Sequence, residues 1–382
     1  MRYQNVCLES LGYTLPEEVV SSEEIERRLA PLYQRLRLPE GRLELITGIR
    51  ERRSWPARTR PGEKSAESGG RALVAAGVDP REVGCLIHAS VCRDFLEPAT
   101  ACSVHHQLGL PPDCLVYDVS NACLGLLNAV VQVANMIELG QIKAGLIVGT
   151  EDSRPLLENT IAELNRDEKL TREQVKLAVA SLTIGSGSAA LLLTHREISR
   201  SKTQLEAGAA VAHTDHHALC QGGHSESAAG LSQLLMQTDS QRLMQEGLAT
   251  GVATFHQFLR QAEWDVEDIQ RTICHQVGGT HRKLMLESLG LSPERDFCTF
   301  PWLGNTGSVA LPITLALAAE NGFVQADDHV ALLGIGSGIN CLMLAVDWQN
   351  TAVAGNLPAP SESPSVPKPH LLARGETSLL AP

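Results

Sequence analysis

Apolar positions fall in short blocks separated by polar, helix-prone stretches. Residues 3–9 predict a first strand, followed by Pro16 and a polar helix around Ser22 to Leu38. An amphipathic helix is expected over Ser65 to Gly77. Glu82 to Ser90 predicts a buried strand, because Val83, Cys85, Leu86, Ile87 and Ala89 form a short apolar run. After the turn Arg93 to Thr100 come a helix to Leu108, closed by Gly109, and a strand over residues 114–119. No charged residue occurs from Val119 to Ile137, a length that raises the question of a membrane span. Ser120, Asn121, Asn128, Gln132 and Asn135 interrupt the run, and no basic flank or aromatic belt marks its ends. A buried central helix ending at Gly140 is the better reading. Lys143 to Gly149 then predicts another buried strand, residues 153–180 a charged helical insertion, and Leu182 to Thr194 a glycine turn and a strand. Strands alternating with helices imply an α/β architecture with parallel pairing.

The second half of the chain repeats the first. Cys123 precedes Gly140, and Asn305 precedes Gly322, by the same 17 residues. Each stands at the mouth of an apolar helix that ends in glycine and leads into a buried strand. Ile184-Gly185-Ser186-Gly187 recurs as Ile335-Gly336-Ser337-Gly338, and Leu86 to Leu110 matches Thr272 to Leu291. The register places Glu97 and His275 in turns after equivalent strands. Cys123, Glu97, His275 and Asn305 are thereby all put at strand-to-helix transitions, where sites gather in open α/β sheets. The halves are expected over residues 1–195 and 196–348. Residues 349–382 are rich in Pro, Ser and Ala without periodicity, and read as a disordered tail whose apolar end (Leu371, Leu372, Leu379, Leu380) is a candidate docking segment.

Composition narrows the function. A formal charge of −12 over 382 residues argues against nucleic acid as the main partner. The N-terminus has no apolar signal core, and the ten scattered cysteines include no Cys-x-x-Cys pair, a reduced, cytoplasmic pattern. A cysteine at the first turn of a buried helix faces unpaired N–H groups and the positive end of the dipole, which favour the thiolate, so Cys123 is a candidate nucleophile. The basic turn Thr47 to Arg53 reads either as a solvated cluster or as a contact for an anionic ligand. His213, His216, His217, Cys220 and His224 suggest zinc by type. The stretch is polar and Gly-rich without a second ligand pair, so a solvent-facing loop and no metal are expected.

The cysteine at a buried helix start, His275-Gln276 after a strand, Gly304-Asn305-Thr306 and the late Gly334-Ile335-Gly336-Ser337-Gly338 together resemble the thiolase superfamily. Within it they resemble the ketoacyl synthase III group. The resemblance covers roughly residues 1–348 and implies a duplicated, five-layer αβαβα fold. Arg93 to Thr100, with Asn121-Ala122-Cys123-Leu124 and Leu333 to Cys341, is similar to the acyl-CoA condensing enzyme of bacterial long-chain olefin biosynthesis. That resemblance implies non-decarboxylative Claisen condensation of two fatty acyl-CoAs to a β-keto acid. It also implies a homodimer in which Glu97 crosses into the partner's site, and downstream pathway enzymes as further partners. Acyl-CoA would be the substrate, with no cofactor. Arg42 stands near the position of the tryptophan that stacks the CoA adenine in the initiating enzymes, and the CoA-contacting residues stay unassigned.

On this reading Cys123 carries the acyl chain as a thioester. The backbone N–H groups of Cys123 and Ser337 form the oxyanion hole, with glycines at 336 and 338 letting the backbone approach. His275 and Asn305 hydrogen-bond the thioester or enolate oxygen. Glu97 removes the α-proton of the second acyl chain, which a plain acyl thioester requires and a malonyl group does not. Two rivals stay open: a decarboxylating ketoacyl synthase III, and a non-catalytic partner subunit, against which the intact Cys-His-Asn set speaks.

Overall fold

A computed structural model describes residues 1–226 and 232–357. In chain order the strands are β1 (Val6–Thr14), β2 (Glu18–Ser21), β3 (Glu51–Ser54), β4 (Val83–Ala89), β5 (Leu115–Val119), β6 (Ala144–Glu151), β7 (Gly187–His195), β8 (Gln204–Ala212), β9 (Cys220–Glu226), β10 (Ser232–Thr238), β11 (Arg271–Cys274), β12 (Asp328–Gly336), β13 (Asn340–Trp348) and β14 (Ala352–Ala354). The helices are α1 (Ser22–Arg28), α2 (Ala30–Leu36), α3 (Arg42–Thr47), α4 (Pro61–Ala76), α5 (Thr100–Leu108), α6 (Gly125–Glu138), α7 (Arg154–Arg166), α8 (Arg172–Ala178), α9 (Ser240–Ala262), α10 (Gly279–Leu289), α11 (Phe300–Leu303) and α12 (Ala310–Glu320).

Among the described residues ten strands form one sheet, in the order β11-β12-β13-β8-β1-β7-β6-β4-β5 with β14 beside β1. β1 and β8 pair only at Cys7 with Gln204, with Arg2 bridged to Ala207 ahead of β1, so the path divides into two leaves. Side-chain alternation then builds the layers. Ala189, Leu191 and Leu193 of β7, with Val330 and Leu332 of β12, pack on the apolar sides of α6 and α12 in the central core. The alternate residues Ala190 and Leu192 face α4 and α5. Ala331 and Leu333 face α9 and α10. The stack is therefore helices, leaf, α6 with α12, leaf, helices, the five-layer α/β arrangement expected.

The uncharged run became α6, buried along Leu126, Leu127, Val130, Val133, Ala134 and Ile137. Among the described residues no helix is long and apolar enough to cross a membrane. Four local expectations need correction. The helix expected over Ser22 to Leu38 is broken at Leu29, because Pro31 takes the first turn of a second helix. The basic turn is neither solvated nor ligand-facing at Arg52. This residue is fully buried in β3, and its guanidinium donates to the carbonyls of Val20 (3.3 Å) and Leu182 (3.0 Å) and to Ser22 Oγ (3.1 Å). The histidine-rich stretch is not a loop: Thr214–Leu219 forms a 3-10 turn and Cys220–Glu226 pairs antiparallel with Ser232–Thr238. Finally, the tail does not begin at residue 349. Ala352–Ala354 pair in parallel with Ser10–Gly12 of β1, and Asn356 bonds both the N–H and the carbonyl of Leu15 at 2.8 Å. Residues 358–382, including the proposed docking leucines, lie outside the described residues.

Candidate active site

Cys123 stands just ahead of α6, whose N-cap is Leu124. The turn that presents it is tight. Ala122 is held at φ 43°, Leu124 N–H donates to Asn121 O (2.9 Å), and Asn121 Nδ2 reaches Asn128 Oδ1 (2.8 Å) one helix turn on. A left-handed alanine is uncommon and costs energy that the surrounding packing must supply. The late glycine turn closes over it. A Cβ on Gly336 would lie 3.3 Å from Leu124 Cγ and 3.5 Å from Cys123 N, so the backbone leading to Ser337 is packed on the cysteine turn.

The matched turn is built by the same device with the halves exchanged. Asn305 N–H donates to Thr183 O (3.0 Å), Gly185 N–H donates to Asn305 O (2.9 Å), and Asn305 Oδ1 accepts from Gly307 N–H (3.0 Å). A Cβ on Gly185 would lie 2.0 Å from Leu303 O, so no side chain fits there. Each glycine turn of the repeat thus backs the functional turn of the opposite half. His275 follows β11, and its N–H donates to Leu333 O (3.0 Å). Gln276 Oε1 accepts from Thr299 N–H (2.8 Å) and Phe300 N–H (3.1 Å), tying the histidine turn to the helix that leads into Asn305.

Glu97 stands apart. It is exposed in the loop between β4 and α5, beside Leu96 (94% exposed) and Phe95 (53%). The base of that loop is anchored: Asp94 Oδ1 accepts from Gly62 N–H (2.8 Å), and Asp118 caps α5 through Thr100 N–H (2.8 Å) and Ala101 N–H (2.9 Å). Its tip, from Phe95 to Pro98, is exposed.

One residue escaped the sequence reading. Glu151, the last residue of β6, is a buried carboxylate that faces Cys123 and accepts hydrogen bonds from both site loops. The available signal was a carboxylate at the carboxyl end of an otherwise apolar strand. Among the described residues no cluster of three or more His, Cys, Asp or Glu side chains is arranged to hold a metal ion. His213 is bonded to Thr250 Oγ1 (2.8 Å) and His216 pairs with Glu246 (3.2 Å).

The electrostatics reverse one expectation. Burial, then the negative charge of Glu151, pushes the Cys123 thiol up to about 12, against the helix-start effect that favours the thiolate. Desolvation shifts of several units outweigh a dipole term of about 1 kcal/mol. Burial also depresses the imidazole of His275, from 6.5 to about 3, with a smaller contribution from His281. Cysteine and histidine therefore both rest uncharged near neutrality.

Two fully buried histidines bear on stability. His88 is likewise depressed by burial, which outweighs the Asp118 carboxylate. Both histidines remain neutral in the folded chain below 6.5, where the unfolded chain takes up protons, so stability present above 6.5 is lost as pH falls. Going from pH 6.5 to 5 is expected to cost about 2 kcal/mol for each. Urea midpoints at pH 7 and pH 5 measure this, and an unchanged midpoint contradicts it.

A duplicated α/β fold whose cysteine and asparagine turns are each backed from the opposite half, with a histidine turn tied to the helix ahead of Asn305, defines a condensing enzyme of the thiolase superfamily. Residues 57–200 match the thiolase N-terminal domain, and residues 259–348 match the C-terminal domain of 3-oxoacyl-[acyl-carrier-protein] synthase III. The acyl-CoA:acyl-CoA alkyltransferase of Shewanella oneidensis is 42% identical over 91% of this chain and all of its own. The enzyme of the same name from Xanthomonas campestris is 32% identical over the same share, again along its whole length. The chain belongs to the acyl-CoA:acyl-CoA alkyltransferase family. Among solved structures, a cysteine-to-serine variant of Xanthomonas campestris OleA with bound lauric acid and lauroyl-CoA superposes with a TM-score of 0.85. It is 32% identical, covering 91% of this chain and 100% of that one. The cerulenin-bound form gives 0.86 at the same identity, covering 91% of this chain and 98% of that one.

Proposed function

We propose that this chain joins two fatty acyl-CoA molecules head to head, without decarboxylation, and that its site is the Cys123, His275, Asn305, Ser337 and Glu97 set. Full-length identity to relatives named acyl-CoA:acyl-CoA alkyltransferase carries the substrate class. The reciprocal turns around Cys123 and Asn305 support the site.

The thiol of Cys123 attacks the first thioester and expels CoA, its proton passing by way of neutral His275 to the leaving sulfur. The N–H groups of Cys123 and Ser337 face the carbonyl oxygen as charge develops on it. Glu97 takes an α-proton from the second acyl-CoA, and His275 and Asn305 hydrogen-bond the enolate oxygen. The carbanion attacks the acyl-Cys123 carbonyl, and the Cys123 sulfur leaves. Water cleaves the remaining CoA thioester to give the β-keto acid. Side chains and backbone do this chemistry, with acyl-CoA as substrate and no cofactor.

Glu97 is an exposed loop residue in its own chain, which supports its donation to the site of a second copy. Its exposed loop lies in a chain whose sheet ends on β5, the next strand along, with Leu115 53% exposed. An open strand edge beside apolar side chains suits a second copy of the chain. We place the enzyme in the cytoplasm, where its reduced cysteines and acyl-CoA substrates belong, with enzymes that consume β-keto acids as further partners.

Incubation with myristoyl-CoA alone tests the reading. A long-chain ketone, the decarboxylation product of the β-keto acid, is expected. Product only when malonyl carrier protein is added would establish the decarboxylating reaction instead.

A further inference from the structure

Glu151 ends β6 between the root of the loop that carries Glu97 and the turn that carries Asn305. Its Oε1 accepts from Val91 N–H (3.1 Å), and its Oε2 from Cys92 N–H (3.4 Å), at the root of the loop that carries Glu97. The same Oε1 accepts from Ser308 Oγ (2.5 Å) and Ser308 N–H (3.3 Å), three residues beyond Asn305. Gly307 leaves room for it: a Cβ there would lie 3.1 Å from Glu151 Cγ. The strand end is itself fixed, since Trp55 Nε1 donates to the Glu151 carbonyl at 3.1 Å.

We propose that Glu151 is a positioning residue of the condensation step, whose carboxylate clamps the root of the Glu97 loop to the Asn305 turn. The proposal rests on the acyl-CoA condensation reading above. A buried carboxylate that accepts from two loops fixes their separation more tightly than a neutral acceptor, because charge-assisted bonds are roughly twice as strong. The cost falls on the nucleophile. The ionisable groups acting on Cys123 are Glu151 on β6 and Cys220 at the start of β9. Those around Glu151 are Cys92 on the Glu97 loop, Asp152 beside it and Cys123. Burial, and after it the charge of Glu151, disfavours the Cys123 thiolate.

Glu151→Gln, Glu151→Asp and Ser308→Ala test this in the full chain. Two quantities are read: the pH profile of Cys123 alkylation by iodoacetamide, followed on its peptide by mass spectrometry, and the ratio of ketone formed to Cys123 acylated. Glu151→Gln removes the charge and is expected to move the alkylation profile about one pH unit lower while the ratio falls about tenfold. Glu151→Asp keeps the charge at shorter reach, so the profile holds while the ratio falls. A purely structural role would lower acylation and condensation in parallel and leave the profile in place, which overturns the proposal. If Glu151→Gln does not fold, Ser308→Ala decides. It keeps the charge and loses one clamp bond, and an unchanged ratio then overturns the proposal. If wild type yields no ketone from acyl-CoA alone, the reaction assignment fails on its own. The alkylation profile, which involves no second substrate, still decides whether Glu151 governs Cys123.

Discussion

Cys123→Ala is expected to lower ketone formation by about 10⁶-fold, the scale of loss when a covalent enzyme is deprived of its nucleophile. The size follows from the site: every later step needs an acyl chain held as a thioester at the mouth of α6, and Cys123 is the only thiol on that turn. The alanine is nearly isosteric, the tight Asn121–Leu124 turn does not depend on the sulfur, and folding should survive. Intact-mass spectrometry after mixing with myristoyl-CoA checks the cause. Wild type should carry one acyl group on the Cys123 peptide and the variant none. An acyl adduct elsewhere, with turnover retained, would move the nucleophile off Cys123. Absence of any adduct on wild type would favour a non-catalytic partner subunit.

Glu97→Ala should behave in the opposite way on the first step. Acylation of Cys123 is expected at the wild-type rate, because that step removes no α-proton and Glu97 is an exposed loop residue. Condensation should drop about 10³-fold, the middle of the range for removing a general base. Stability should change little, since among the described residues Glu97 makes no hydrogen bond or ion pair. Mixing decides where the carboxylate acts. Dimers of Cys123→Ala with Glu97→Ala contain one site with both groups intact only if Glu97 is donated across the interface. Random reassortment should then restore about a quarter of wild-type activity. No restoration after verified exchange would place Glu97 in its own chain's site, and survival of condensation in Glu97→Ala would remove it as the base.

These two expectations rest on different kinds of information. The alternation of apolar blocks and the repeated Ile-Gly-Ser-Gly turns were enough to lay out β4, β5, α6, β6 and β7, and to match Cys123 with Asn305. Periodicity is local: a strand that buries both faces, or a helix that buries one, must carry its apolar residues at the right spacing wherever it packs. His275 was legible as the residue after a buried strand, because the fold places chemistry at strand ends. Arg52 was not legible. An arginine between Glu51 and Arg53 reads as surface, and only the carbonyls of Val20 and Leu182, far apart in sequence, make a buried site for it.

The sequence alone therefore determined the strands and helices that carry the site, the repeat between the halves and the order of the cysteine, histidine, asparagine and glycine turns. Tertiary structure decided what state those groups are in. The helix start favours a thiolate at Cys123, yet burial and Glu151, 28 residues away in sequence, hold the thiol protonated. The strand β14 exists because β1 has room for a parallel neighbour, not because residues 352–354 show a strand pattern. Glu97 is exposed, while the root of its loop is anchored at Val91, Cys92 and Asp94 by groups on β6 and α4. Spacing along the chain encodes which face a residue takes. Charge state, reach and exposure depend on what the fold brings against that face from elsewhere, and on water being excluded there.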